Sequence, residues 1–337
     1  MNYNVPYSLV SLVERKRWNP IEKYIDKNSK RFIKKIKKLY KEDKISDKLF
    51  LRLMYRFRIG RWPNFRTPKT FTEKQQWLKL YYRLPMLSDI VDKVKFKDWA
   101  RAKIGDEYII PTIGVWDSPE EIEFDKLPPT FVLKCNHSSG YHYIHSNPDS
   151  PVDKKKIIDT LNKRFNIRWD KNSGEWPYKH VERKVIAENF LSDLSRAELP
   201  DYKFFCFNGE PRFVQMFSWH DGHSVFDADN KPLEYNAMYD MNWNKMPFIT
   251  GYPYNNEVDF VKPKNFDKMV ELAKKLSEGF PYVKVDFYNI NGKIYVGELT
   301  FYPYGGFGYI LPDDEWDYKL GEMVKLPSKK VRERKSK

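Results

Sequence analysis

The sequence predicts a mixed α/β (α+β) protein with a helical N-terminal extension, and three observations carry that prediction. Apolar residues recur at helical spacing as far as about residue 103, and short apolar and aromatic runs of strand length follow. Near the C-terminal end, Asn291-Gly292 separates two runs rich in β-branched and aromatic residues, as a hairpin turn does. The 337 residues are 41% hydrophobic and 17% aromatic, which excludes disorder as the main state and suffices for one large domain or two to three smaller ones. The same aromatic content leaves stacking surfaces for a sugar or a nucleotide ring.

Taken in order, Ser29 to Tyr40 reads as a basic amphipathic helix, with Phe32, Ile33, Ile36, Leu39 and Tyr40 on one side and lysines on the other. The lysine face reads first as solvated surface and second as attachment to an anionic membrane. Asp47 to Arg58 forms a second helix, N-capped by Ser46 and followed by Gly60, with Leu49, Phe50, Leu53, Met54 and Phe57 turned inward. Thr70 and Glu73 have capping-box spacing ahead of Gln75 to Tyr82, whose stripe is Trp77, Leu78 and Tyr81. A further helix runs from Asp92 to Lys103. The expected strands are Val132–Lys134, Val185–Ala187, Phe204–Phe207, Arg212–Met216, Val283–Tyr288 and Lys293–Leu299, with a helix at Phe266–Glu278.

The net charge of +14 suggests nucleic acid until it is located along the chain. Lys27 to Lys44 holds nine basic against two acidic residues, and Lys325 to Lys337 seven against one, leaving 44 against 43 elsewhere. The body is near neutral, so nucleic acid is not an expected partner, whereas the basic ends suit peripheral membrane contact. The two cysteines, Cys135 and Cys206, show no metal or disulfide spacing and fit a reducing compartment. With no apolar run of membrane-spanning length and no basic leader before Val5 to Val13, the expected location is cytoplasmic, with peripheral contact at the inner face of the membrane.

The hairpin is the most informative segment because it carries Asp286 and Glu298 on neighbouring strands. A two-residue turn of Asn291-Gly292 places the two carboxylates on opposite faces. A three-residue loop, Ile290-Asn291-Gly292, aligns Lys284, Asp286, Glu298 and Thr300 on one face and sends Val283, Val285, Phe287, Leu299 and Phe301 into a core. The period-two pattern favours the odd loop. Two carboxylates so placed suit magnesium, which takes one or two from protein and completes its shell with water and phosphate oxygens; acids on a sheet face by chance are the alternative.

Upstream, Phe131 to Lys134 is an apolar strand ending in a lysine, followed by the small polar loop Cys135-Asn136-His137-Ser138-Ser139-Gly140. Backbone N–H groups and hydroxyls there can cover phosphates, although any strand followed by a polar turn looks similar, and no GxxxxGK[ST] sequence is present. His137, His142 and His145 follow no metal-ligand spacing and read as ordinary structural histidines, as do His180, His220 and His223.

Together these segments resemble the ATP-grasp superfamily, and more closely its TupA-like branch, linked to bacterial cell-surface polysaccharide biosynthesis. The resemblance runs from Thr67-Pro68-Lys69-Thr70-Phe71-Thr72-Glu73-Lys74 through Asp92-Lys93, Phe131 to Gly140, Glu175-Trp176-Pro177-Tyr178, Val185 to Leu191 and Asp201 to Pro211, and ends in Val283 to Gly306. It implies two α/β subdomains that sandwich ATP. The expected divisions are an N-terminal extension at 1–66, a lead-in at 67–127, a flap-and-hinge subdomain at 128–200, a magnesium-hairpin subdomain at 201–326 and a basic tail at 327–337.

The resemblance further implies that Lys93 and Lys134 reach the ATP phosphates beneath a flap of Asn136, His137, Ser138, Ser139 and Gly140. Ile186 to Leu191 would form the hinge, whose Glu188 and neighbouring backbone at Asn189, Phe190 and Leu191 would read the adenine edge, and Asp201 would hold ribose or orient the site. Asp286, Glu298 and Thr300 fall on magnesium positions, for two ions. Lys203 would face phosphate or substrate, Lys284 falls beside the transferred phosphate, and Arg212 and Lys203 are candidate carboxylate anchors. Two departures stand out: many superfamily members have asparagine at the position of Thr300, and this flap has one glycine and two serines. The loop Tyr302-Pro303-Tyr304-Gly305-Gly306 would bring backbone close to a phosphate or the acceptor.

The implied reaction is ATP-dependent amide formation through an acyl phosphate, releasing ADP and phosphate. The implied acceptor is an acidic sugar of a polysaccharide or its precursor, with an amino acid or simple amine as nucleophile. Trp176, Tyr178, Trp219 and Trp243 are either sugar-stacking or core residues. A glycosyltransferase is the first alternative, and no DxD-type motif stands where such an enzyme is expected to carry one. A non-catalytic basic protein binding membrane or nucleic acid is the second.

Overall fold

The computed structural model describes residues 27–138, 142–191, 201–218, 225–226, 232–233, 235–250, 259–308, 310–311 and 314–328. Its helices are α1 (Lys27–Lys41), α2 (Asp47–Ile59), α3 (Phe71–Tyr81), α4 (Met86–Val91), α5 (Lys95–Ile104), α6 (Lys154–Phe165), α7 (Asp170–Ser173), α8 (Phe266–Ser277) and α9 (Glu315–Met323). The first half of the strands comprises β1 (Thr112–Trp116), β2 (Phe131–Cys135), β3 (Tyr143–His145), β4 (Val185–Asn189), β5 (Asp201–Phe207) and β6 (Glu210–Ser218). After these come β7 (Val225–Phe226), β8 (Pro232–Leu233), β9 (Tyr235–Asp240), β10 (Ile249–Thr250), β11 (Tyr282–Ile290), β12 (Lys293–Thr300) and β13 (Ile310–Leu311).

Two antiparallel sheets dominate, one of four strands in the order β1-β4-β2-β3 and one of five in the order β12-β11-β5-β6-β9. The alternation read from the sequence sets the inner face of the larger sheet: Tyr202, Phe204, Cys206, Val283, Val285, Phe287 and Leu299 are all buried. They pack on the apolar stripe of α8, where the rings of Phe204 and Phe266 stack at 5.6 Å. The smaller sheet covers Phe131, Leu133, Val185 and Ala187 with Ile157 and Leu161 of α6. Their opposite faces carry the polar chemistry.

The N-terminal helices join this body through a second core in which Ile33, Ile36 and Tyr40 meet Phe50, Leu51, Met54 and Tyr55, together with Leu80 of α3 and Phe307. Ser46 and Gly60 cap α2 as the sequence predicts, with Gly60 left-handed at φ 88°. The inward face differs from expectation. Leu49 is 44% exposed, while Leu51 and Tyr55 are buried in its place. Two contacts fix this rotation: Tyr40 stacks on Phe50, and the Tyr55 hydroxyl pairs with the Thr72 hydroxyl at 2.9 Å.

The Thr70–Glu73 capping box forms as predicted. It belongs to a clamp on the C-terminal helix: Asp317 of α9 accepts from the Thr72 amide at 2.8 Å and from its hydroxyl at 2.7 Å, and pairs with Arg61 at 2.9 Å. Lys74 donates to the carbonyls of Gly321 and Val324 at 2.7 and 2.8 Å, closing the end of α9. Gly321 permits this approach, because a Cβ there would lie 2.1 Å from the Lys69 carbonyl oxygen. Gly321→Ala is therefore expected to cost about 2 kcal/mol or more through overpacking, read as a lowered urea midpoint with an unchanged slope.

Candidate functional site

The turn at the tip of β11–β12 is the two-residue Asn291-Gly292, with φ of 51° and 80° at those positions, and Ile290 pairs with Lys293. This overturns the three-residue loop expected from the pattern. The carboxylates nevertheless share a face because the register shifts between Asp286 and Phe287. Phe287 pairs with Val296 and Asp286 with Glu298, leaving Gly297 as the extra residue of a bulge. A Cβ at Gly297 would lie 3.1 Å from the Tyr288 ring, close enough that the ring would have to give by a few tenths of an ångström. Lys284 then pairs with Thr300, and Asp286 faces Lys203 on β5.

The result is a chain of alternating charges on the outer face of the larger sheet. Lys203 lies between Asp201 and Asp286, bonded to both and 3.1 Å from Oδ2 of Asp286. Lys284 approaches the same Oδ2 at 3.2 Å. Lys93, from the α4–α5 junction, reaches Glu298 at 3.2 Å, and the Thr300 hydroxyl lies 3.5 Å from the other Glu298 oxygen. Oδ1 of Asp201 and Oδ1 of Asp286 are both buried without a hydrogen-bond partner. Buried carboxylate oxygens without a donor are costly unless something supplies charge.

Burial pushes the Asp286 carboxyl above its ordinary range; Lys203 and Lys284 oppose this, and the nearby Asp201 and Glu298 charges add to it. Burial acts in the same direction on Glu298, but Lys93, Lys284 and Lys203 outweigh it and hold that carboxyl down at about 2. Its side chain keeps 37% of its surface exposed, so the three cations dominate there. Lys203 is held well above the usual lysine range, because Asp201 and Asp286 more than offset its burial. Two carboxylates and a hydroxyl are an all-oxygen donor set of the kind a hard divalent cation prefers. Among the described residues no group of three or more His, Cys, Asp and Glu side chains gathers as a metal cluster.

A second charged group lies on the smaller sheet. Glu188 is buried between Lys97, at 2.7 Å, and Lys134. Burial alone would raise its pKa, and the two lysines bring it below the ordinary value. Lys93 and Lys97, four residues apart, thus hold one acid from each sheet. The Glu188 carboxylate is engaged by lysines rather than open to a base edge; Asn189 is exposed, and Phe190 and Leu191 are half-buried.

Asn136 is a fastener. Its amide donates to Asp92 and to the Glu182 carbonyl at 2.8 Å each and accepts from the Lys184 amide at 2.8 Å, while its own carbonyl accepts from the Lys93 amide at 3.1 Å. That binds the end of β2 to the segment carrying Lys93. His137 is buried with Nε2 unpartnered; burial, then Arg183 and Lys93, lowers its pKa to about 4, keeping the ring neutral. The Ser138 hydroxyl donates to the Cys135 carbonyl at 3.3 Å. Ser139 and Gly140 lie outside the described residues, as do Trp219, His220 and His223.

Some expected residues are not brought here. Arg212 is the exposed extra residue of the β5–β6 bulge, beside the turn and away from Gln215, the partner of Lys203. Trp176 is core, and Trp243 stacks on Tyr239 at 4.7 Å with its indole N–H on the Phe260 carbonyl. Gly305 and Gly306 approach protein instead of ligand: their carbonyls accept from Lys79 and Gln76 of α3, and Cβ atoms there would strike Ser173 and Gln76. Sequence reasoning missed Lys97, although its spacing of four from Lys93 was a signal. It also missed Asp92 as the anchor of Asn136, and Tyr288, which pairs with Asp201 across β11 and β5.

The TupA-like ATPgrasp family model matches residues 73–325. No curated protein matches the chain. Among solved structures, the ATP-bound D-alanine–D-alanine ligase of Bacillus anthracis is 16% identical over 64% of this chain and 55% of its own, with a TM-score of 0.35. Phosphoribosylamine–glycine ligase of Thermotoga maritima is 19% identical over 64% and 48%, at 0.37. D-alanyl-alanine synthetase A of Vibrio cholerae is 12% identical over 75% and 63%, at 0.38. The chain spans about half to three-fifths of the length of these structures.

Lys203→Met leaves Asp201 and Asp286 without their shared cation and is expected to destabilise the fold by about 3–5 kcal/mol at neutral pH. The carboxyl of Asp286 already titrates above its unfolded value, so this deficit is largest above that raised pKa and shrinks as acid neutralises the group. Denaturant midpoints of the variant and parent at mildly alkaline and mildly acidic pH measure the narrowing.

Proposed function

Because the chain belongs to the TupA-like ATP-grasp family, we propose that it is an ADP-forming ligase that uses ATP to join a carboxylate to an amine. The observation that carries this reading is the pairing of Asp286 with Glu298 inside a ring formed by Lys93, Lys203 and Lys284, with carboxylate oxygens left without donors. A group this concentrated, with acids and ammonium ions in balance, suits a polyphosphate and its counter-ions.

Asp286, Glu298 and Thr300 would hold magnesium, two ions in the full site, and that metal would supply neutralising charge to the phosphate tail. Lys93 and Lys134 would hold the phosphates, and Glu188 would keep Lys134 and Lys97 charged and in place. Lys203, oriented by Asp201, and Lys284 would face the transferred phosphoryl group, where fixed positive charge lowers the barrier to its movement. Activation of the carboxylate as an acyl phosphate lets an amine attack without a side-chain nucleophile. The segment Glu188 to Leu191 would border adenine, and the loop after Cys135 would exclude water from the activated carboxylate. The acceptor in this reading is a uronic acid of a bacterial cell-surface polysaccharide or its precursor, and the nucleophile is an amino acid or simple amine.

The test is release of ADP and phosphate, together with the mass of an amide product, when ATP, magnesium, a uronic acid and an amine are combined and when each is omitted. Product is expected only from the full set. Asp286→Asn and Glu298→Gln are expected to lower turnover at least about 100-fold while circular dichroism is unchanged. Near-parental rates in both variants, or nucleoside diphosphate released from a nucleotide-sugar instead, would overturn the assignment.

A further inference from the structure

We propose that the outer face of the α1–α2 hairpin docks onto an anionic lipid bilayer, with its exposed aromatic and leucine side chains entering the interface and its lysines and arginines meeting the headgroups. The inference stands independently of the ligase reading. Residues 27–62 contain fourteen Lys and Arg against three acids, so eleven of the chain's net +14 charges lie on this piece. The three acids are already engaged: Glu42 by Lys44, Asp43 by Lys171, and Asp47 by Arg83. Arg31, Lys34, Lys35, Lys48, Arg52 and Arg56 are exposed.

Charge alone fits any polyanion; the apolar side chains select a bilayer. Phe32 is 51% exposed, Leu49 44% and Trp62 56%. Leu49 lies one turn from Leu53 and two from Phe57 along α2; Leu53 and Phe57 are half-buried against the helical core, and the exposed ring of Phe32 stacks on that of Phe57 at 5.1 Å. The Arg52 guanidinium lies 5.7 Å from the centroid of Trp62. An aromatic and leucine strip flanked by cations is the pattern of an interfacial membrane surface. The obvious apolar face of α1 is not free for this purpose, since Ile33, Ile36 and Tyr40 are buried against α2. Docking therefore uses Phe32, Leu49 and Trp62, the apolar side chains left exposed beside that core. Among the described residues no helix is long and apolar enough to cross a membrane, so the contact is peripheral.

The experiment is co-sedimentation of the full chain with vesicles of phosphatidylcholine alone or mixed with phosphatidylglycerol, at low salt and at high salt. Binding is expected only to the anionic vesicles and is expected to fall as salt screens the charges. Lys34→Ala, Lys35→Ala and Arg52→Ala should each weaken it about fivefold. Phe32→Ser and Trp62→Ser should weaken it with no change of charge, and Trp62→Phe should restore most of the loss; unaltered thermal melts exclude misfolding as the cause. Absence of vesicle binding, binding indifferent to Phe32 and Trp62, or capture of a polyuronate or RNA without capture of vesicles would overturn the proposal.

Discussion

A carboxylate that is only 5% exposed sets the terms for the larger sheet. Asp286 sits where water cannot neutralise it, and its two lysines come from its own strand and its neighbour. Lys203 must at the same time serve Asp201, so one cation is divided between two anions. This shared arrangement fixes β5 against β11 in register on their polar face, while the opposite face is fixed by phenylalanine and valine packing. The two faces of one sheet thus do different work: one supplies the burial that holds the strands, and the other stores electrostatic tension that a cation can relieve.

Much of the fold was legible because the elements obey simple periods. The alternation in Val283 to Phe287 and the stripe of α8 required nothing beyond the sequence, and the caps Ser46, Gly60 and Thr70–Glu73 formed as read. The inward face of α2 did not follow, since apolar residues surround enough of that helix to permit several rotations. Contacts made far away in sequence, between Tyr55 and Thr72, chose among them. Likewise β1, β3, β9, α6 and α9 carry weak local patterns and take their form from the sheets and cores they join.

The candidate site was legible in its residue types more than in its geometry. Asp286 and Glu298 do share a face, yet by a bulge at Gly297 rather than by an odd loop. A bulge has no period to betray it; the close approach of Gly297 to the Tyr288 ring, which favours a residue without a side chain, shows only in the structure. The tasks of Asn136 and of Gly305 and Gly306 were also hidden, because a polar loop near a strand end looks the same whether it grips a ligand or its own backbone. The hydrogen bonds of Asn136 to Asp92, Glu182 and Lys184 identify the second case.

The clamp between Thr72 and Asp317 has a consequence for how the protein comes into being. Those residues are separated by 245 positions, and the bonds between them hold the start of the family region to its final helix. A growing polypeptide on the ribosome has made α3 long before Asp317 exists, so the buried threonines of that helix wait without their acceptor. The entropic cost of closing so long a stretch grows only slowly with its length, and this face of the molecule can be completed only once the residues of α9 have been synthesised.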